Sequence, residues 1–208
     1  MVTIIDYGIG NLRSLEKAFQ AVGAEVLRTD HPEALLQAER LVLPGVGAFG
    51  ACMAELRRRG LIAPIHEAVR RGIPLLGVCA GLQLLFEESE EHGRHEGLGL
   101  MPGRVVRFPE TTADGRRLKV PHMGWNTITH HRPSPLLEGI PDGAYFYFVH
   151  SYHAVAENPD DVLAVTTYGD VTFPAIVGRG RVFGVQFHPE KSQQHGLRIL
   201  KNFLDLSA

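Results

Sequence analysis

Ile73-Pro74-Leu75-Leu76-Gly77-Val78-Cys79-Ala80-Gly81-Leu82-Gln83-Leu84-Leu85 is the stretch on which the fold turns. Pro74 to Val78 is a short apolar run behind a proline, which predicts a buried strand. From Leu82 the apolar residues continue into an expected helical segment ending at Glu87-Glu88. Between them Gly77-x-Cys79-x-Gly81 frames one reactive side chain with small residues. Strand, sharp turn and helix with a nucleophile at the apex make a nucleophile elbow, here with Cys in the place of Ser. Glycine on each side lets strand and helix approach where a Cβ would collide. A buried structural cysteine fits the same residue type, because free Cys is among the most buried side chains. The stretch needs a base to become a site.

Gly184-Val185-Gln186-Phe187-His188-Pro189-Glu190 supplies one. Arg181 to Phe187 is β-branched and aromatic, so His188 is expected at the carboxyl end of a strand, the edge where α/β sheets gather their chemistry. Pro189 is expected to hold the chain extended, which turns His188 and Glu190 to one side. A carboxylate that accepts from one imidazole nitrogen leaves the other free for Cys79, the order of orienter, base and nucleophile.

The chain has 208 residues, 44% hydrophobic and 21% charged, which fits a soluble globular protein with one core. A net charge of −2 offers no attraction to nucleic acid or an anionic membrane. Two cysteines, Cys52 and Cys79, make no disulfide framework and fit a reducing compartment. Asp6 and the lack of a basic start argue against a signal peptide, and the longest apolar run, Ile73 to Phe86, is too short to span a bilayer. A cytoplasmic location is expected.

Strand and helix signals alternate through the first half. Val2–Ile5, Glu25–Arg28 and Leu41–Leu43 read as strands, with helices expected over Asn11–Val22, Pro32–Ala38, Gly47–Arg59 and Leu61–Arg71. That order predicts parallel βαβ units. From Gly93 the texture changes to short strands near Arg104–Phe108, Lys119–Val120, Thr127–Thr129, Ala144–Val149, Val162–Thr167 and Pro174–Val177, an antiparallel insertion or sheet extension. The stretch around Trp125 reads as a loop, and a last helix is expected over Gly196–Leu206. The expected fold is one three-layer α/β domain over residues 1–208.

Gly45-x-Gly47-x-x-Gly50 follows a strand and precedes a helix, the arrangement of a dinucleotide-binding loop. The acidic ribose partner is missing, since Glu55 and Glu67 lie within helical patterns, and this is not the first βα turn. A loop leaving a strand beside the elbow can instead aim backbone N–H groups at an acyl oxygen near Cys79, together with the amide of Ala80. A plain tight turn has the same spacing. The eleven histidines form no pair of pairs at a zinc spacing, so neither a metal nor any other cofactor is expected.

Gly77-Val78-Cys79-Ala80-Gly81-Leu82-Gln83 with Phe187-His188-Pro189-Glu190 resembles the class I (triad) glutamine amidotransferases. Asp6 to Leu12, Pro44 to Phe49, Pro121 to Asn126, Phe148 to Tyr152 and His188 to Gln193 resemble one branch of it, glutaminase subunits that serve a cyclase. The likeness runs over essentially the whole chain. It implies a central, mostly parallel sheet with an antiparallel extension, Cys79 as nucleophile, His188 as acid and base, and Glu190 as orienter. L-Glutamine would be bound, and its oxyanion held, by Gly45, Val46, Gly47, Ala80, Gln83, Ser151 and Tyr152. Ala80 stands where many relatives carry Leu, but only its N–H is wanted. The resemblance also implies a heterodimer with a (β/α)8-barrel cyclase subunit, met through Asn11, Met123, Trp125 and Tyr147. A chain of this length is expected to lack an acceptor domain of its own, so ammonia must pass to a docked partner before water protonates it. A free-standing cysteine hydrolase, a non-catalytic binding protein on this fold, and the anthranilate or pyridoxal phosphate synthase glutaminases are the other readings.

Overall fold

A computed structural model describes residues 1–207. Strand β1 (Val2–Ile5) leads through a turn into α1 (Leu12–Ala21), β2 (Val26–Thr29) and the short α2 (Pro32–Leu36). Strand β3 (Leu41–Leu43) is followed by α3 (Phe49–Arg58) and α4 (Ile62–Arg70), then by β4 (Leu75–Val78) and α5 (Ala80–Leu84). The expected βαβ rhythm is thus present to within a few residues, with Gly47 and Ala48 left in the loop before α3.

The helix after Cys79 is shorter than expected. Rather than reaching Glu87-Glu88, α5 stops at Leu84, and Phe86–Ser89 forms β5. The cause is tertiary. The carbonyls of Leu84, Leu85 and Phe86 accept from the amides of Leu98, Leu100 and Gly99, so the backbone finds partners outside a helix. A continuous apolar run reads the same either way.

The second half adds β6 (His95–Glu96), β7 (Met101–Arg107), β8 (His122–Thr127), β9 (Thr129–His130), β10 (Tyr145–His150) and β11 (Tyr152–Ala156). Strands β12 (Val162–Tyr168), β13 (Val171–Arg179) and β14 (Val182–Val185) precede α6 (Gln193–Leu204). The stretch around Trp125, expected as a loop, is strand β8, because its backbone pairs antiparallel with β10 from Tyr145↔Thr127 to His150↔His122. Lys119–Val120 is not a strand, and β11 was not visible in the sequence.

The main sheet has eight strands in the order β2-β1-β3-β4-β14-β13-β12-β9. Pairs from β2 to β14 are parallel, and those from β14 to β9 are antiparallel. Its strands bury both faces, as the period of two requires. Ile4, Val42, Leu76 and Val185 pack with Phe19 of α1 and Leu200 of α6, while Ile5, Leu41, Leu43 and Leu75 pack with Met53 of α3 and Ile65 of α4. This gives three layers, helix, sheet, helix. A four-stranded sheet (β11-β7-β5-β6) and the β8–β10 ribbon stand beyond it. Among the described residues no helix is long and apolar enough to cross a membrane.

Candidate active site

Strand β4 lies between β3 and β14 and delivers Cys79 at the carboxyl edge of the sheet. Cys79 has φ 55 and ψ −114, a conformation few non-glycine residues adopt, and its N–H donates to the Val185 carbonyl at 2.8 Å. The frame residues have a steric reason to be glycine. A Cβ on Gly81 would overlap the Leu43 carbonyl oxygen, and one on Gly77 would overlap the backbone of Gly81. The tight turn is therefore built into the sequence.

His188 lies beyond the end of β14, where a single 3-10 turn, Pro189–Lys191, begins. Pro189 thus starts a turn rather than holding an extended chain, because its carbonyl and that of His188 accept from the amides of Ser192 and Lys191. The turn still brings the Glu190 carboxylate to 2.8 Å from His188 Nδ1. Both side chains are buried. A carboxylate only accepts, so Nδ1 carries a proton and Nε2 is left for Cys79. Burial pushes the imidazole down, but hydrogen bonds to the Cys79 sulfur and the Glu190 carboxylate outweigh it and hold His188 at about 10. The backbone is fixed as well. The His188 N–H donates to the Tyr147 carbonyl at 2.9 Å, and the Ser192 hydroxyl donates to the His188 carbonyl at 2.6 Å.

A cavity of about 360 Å³ opens over the sulfur, lined among others by Gly47, Cys79, Ala80, Gln83, Ser151 and Tyr152. Gln83 reaches it with its amide nitrogen committed, donating to the Tyr152 carbonyl at 2.9 Å and to Gln186 Oε1 at 3.1 Å. Gly45 and Val46 stand beside the cavity in the loop that leaves β3. There the Gly45 carbonyl accepts from the Ala80 N–H at 3.3 Å, so one donor expected to face an oxyanion is occupied from within the protein. Larger depressions of about 610 and 550 Å³ flank Arg132–Pro135, another of about 510 Å³ lies by Arg107 and Lys119, and none of them contains these residues.

The profile of the glutamine amidotransferase class-I family matches residues 3–206. The chain belongs to that family. Two of its similar relatives carry the name imidazole glycerol phosphate synthase subunit HisH. The Salinibacter ruber protein is 63% identical over 99% of this chain and 94% of its own length. The Syntrophotalea carbinolica protein is 56% identical over 99% and 100%. A solved glutamine amidotransferase superposes with a TM-score of 0.71 at 25% identity, covering 99% of this chain and 97% of its own. The structure of PurLQS from Thermotoga maritima, at 20% identity, shares the fold with a TM-score of 0.72 over 98% and 97%.

In this amidotransferase the sequence reading missed several residues that line the cavity. Ala48, Glu91, His92, Pro121, Val149 and His150 complete the wall. Glu91 also accepts from the Phe49 N–H at 2.8 Å, tying the site to the start of α3. Its only sequence signal is the acidic run Glu87 to Glu91, which reads equally well as a solvated surface. The four residues expected at a partner interface lie outside the cavity. Asn11 precedes α1 and is exposed, while Met123 and Trp125 of β8 and Tyr147 of β10 share the outer face of the ribbon. Trp125 is 47% exposed, too open for a core residue, with its ring edge-on to Tyr147 at 6.1 Å.

Proposed function

We propose that this chain is the glutaminase subunit of imidazole glycerol phosphate synthase. It hydrolyses L-glutamine to glutamate and ammonia, and hands the ammonia to a cyclase subunit that forms imidazole glycerol phosphate and AICAR in histidine biosynthesis. One observation carries the chemistry. His188 is pinned by Glu190 at 2.8 Å through Nδ1, and Glu190 and the Cys79 sulfur at the elbow together hold its imidazole at about 10. The relatives named HisH support the choice of acceptor.

In this reading the Cys79 thiol passes its proton to His188 Nε2, and the sulfur attacks the side-chain carbonyl carbon of glutamine. The new C–S bond forms as the carbonyl electrons move to oxygen. His188 then protonates the leaving nitrogen, the C–N bond breaks, and ammonia departs from a thioester. His188 next takes a proton from water, which attacks the thioester; the C–S bond breaks, glutamate is released, and His188 returns the proton to the Cys79 sulfur. The Glu91 carboxylate on the cavity wall suits the substrate's α-ammonium. The oxyanion needs the Ala80 N–H, which the Gly45 carbonyl occupies. Turning the Gly45–Val46 peptide would free that donor and present the Val46 N–H as a second one. We therefore read the isolated chain as a resting enzyme, with Gly45, Val46 and Gly47 as its adjustable part.

The partner is taken to be a (β/α)8-barrel cyclase in a cytoplasmic heterodimer, docked on Asn11, Met123, Trp125 and Tyr147. Strands that feed both cores at once support one domain over residues 1–208. Glutamate release by the purified chain, alone and with the cyclase, tests the whole reading. Cys79→Ala should abolish it while leaving assembly intact. Retained glutaminase activity in Cys79→Ala, or iodoacetamide labelling of Cys52 in preference to Cys79, would overturn it.

A further inference from the structure

Behind the loop that leaves β3, two buried side chains take no part in the chemistry above. Tyr7, in the turn after β1, and Cys52, on α3, are both fully buried. The Tyr7 hydroxyl donates to the Pro44 carbonyl at 2.6 Å, and the Cys52 thiol donates to the Val46 carbonyl at 3.7 Å. Burial pushes the Tyr7 phenol and the Cys52 thiol up, so both keep the protons they donate. Three consecutive carbonyls are thus engaged. Pro44 and Val46 are held from behind by side chains, and Gly45 between them is held from the front by the Ala80 N–H.

Each carbonyl belongs to a peptide plane. Fixing the planes of Pro44–Gly45 and Val46–Gly47 leaves the Gly45–Val46 plane as the one that can turn, through ψ of Gly45 and φ of Val46, with its neighbours in place. Gly45 permits that rotation, having no Cβ to strike Gly81 N and Ala80. We propose that Tyr7 and Cys52 are positioning residues that clamp the two flanking peptides and confine the rearrangement of the oxyanion loop to Gly45–Val46. This rests on the glutaminase reading and deepens it. An unclamped loop spreads the rotation over several peptides and places the Val46 N–H in many orientations, of which few serve an oxyanion.

The test uses the full chain in complex with the cyclase and its ligand. A neutral buried hydrogen bond contributes up to about tenfold in an equilibrium, so Tyr7→Phe should lower the stimulated kcat about tenfold. KM for glutamine should hold, because the affected contact belongs to the transition state. Cys52→Ala should lower kcat by a smaller factor, about threefold, since a thiol is a weak donor. Cys52→Ser, which restores a donor, should recover it. The rate of Cys79 alkylation should stay at the wild-type value in all three, because the sulfur and His188 are untouched. Stimulated kcat at the wild-type level in Tyr7→Phe and Cys52→Ala, with only the melting temperature lowered, would overturn the clamp. So would a kcat loss that tracks a slower alkylation of Cys79. If Tyr7→Phe does not fold, the contrast between Cys52→Ala and Cys52→Ser decides. A wild-type complex with no glutaminase activity sinks the underlying function instead, which keeps the two failures apart.

Discussion

Replacing Gly45 by alanine adds one methyl group where the loop from β3 rests on the first turn of α5. That Cβ would lie 2.6 Å from Gly81 N, 2.9 Å from Ala80 Cβ and 3.0 Å from the Ala80 carbonyl carbon. None of these is the end of a flexible side chain. Ordinary contact begins near 3.4 Å, so the loop must lift by 3.4 − 2.6, or 0.8 Å, unless the elbow itself yields. Oxyanion donors act only from about 2.7 to 3.1 Å, a window narrower than that displacement. One donor is therefore lost, at a cost of about 3 kcal/mol, or about a hundredfold in kcat. Because the loss falls on the transition state, KM for glutamine should stay within a few-fold of wild type. The assay is glutamate release by the cyclase complex with its ligand bound, alongside iodoacetamide alkylation of Cys79. Alkylation tests whether the elbow has moved, since it needs the sulfur and His188 but no oxyanion hole. A stimulated kcat within about threefold of wild type would refute the role given to this loop. A hundredfold loss accompanied by an equally slow alkylation would also count against it, by placing the damage at the elbow.

Trp125→Ala should weaken cyclase binding by about 2 kcal/mol or more, with little loss in melting temperature, because a large aromatic on an outer face contributes to docking and not to the core. Unchanged affinity in a titration, together with a large loss of thermal stability, would count against that. Acid should destabilise the fold through His122 and His150. Burial holds them at about 4 and about 3, so below roughly pH 6.5 the unfolded chain binds protons that the native chain refuses. Their contribution is constant above that pH and falls below it, by about 3 kcal/mol from His122 alone as its folded value is approached. Equal urea midpoints at roughly pH 7 and pH 5 would refute this.

The elbow and the base were legible because their chemistry is local. Gly77, Cys79 and Gly81 encode a turn within five residues. His188 and Glu190 are two apart, so even a mistaken backbone, extended instead of turned, still placed a carboxylate beside an imidazole. What stayed hidden depends on distant pairing. Phe86 becomes strand because Met101 lies beside it, and β11 forms because β7 is there to receive it. Glu91 joins the cavity wall by meeting the amide of Phe49, a contact across 42 positions that no local pattern announces.

The ribbon was misread for another reason, and the correction has a functional consequence. His122–Thr127 contains Gly124 at φ +128 and Asn126, residues that usually break a strand, and its alternation is polar inside and apolar outside. His122 and Asn126 face inward, where Asn126 donates to the Thr167 carbonyl and His122 pairs with His150 at 3.0 Å. Met123 and Trp125 are left exposed. An inverted pattern of this kind is expensive in isolation, since it exposes apolar surface and buries imidazoles. It makes sense if the outer face is covered and the inner face serves the site. His150 lines the cavity, and the backbone of Tyr147, opposite Trp125, bonds to both His188 and Ser192. A partner seated on Trp125 and Tyr147 would thus rest on the strand that also fixes the base, with no loop between the contact and the chemistry.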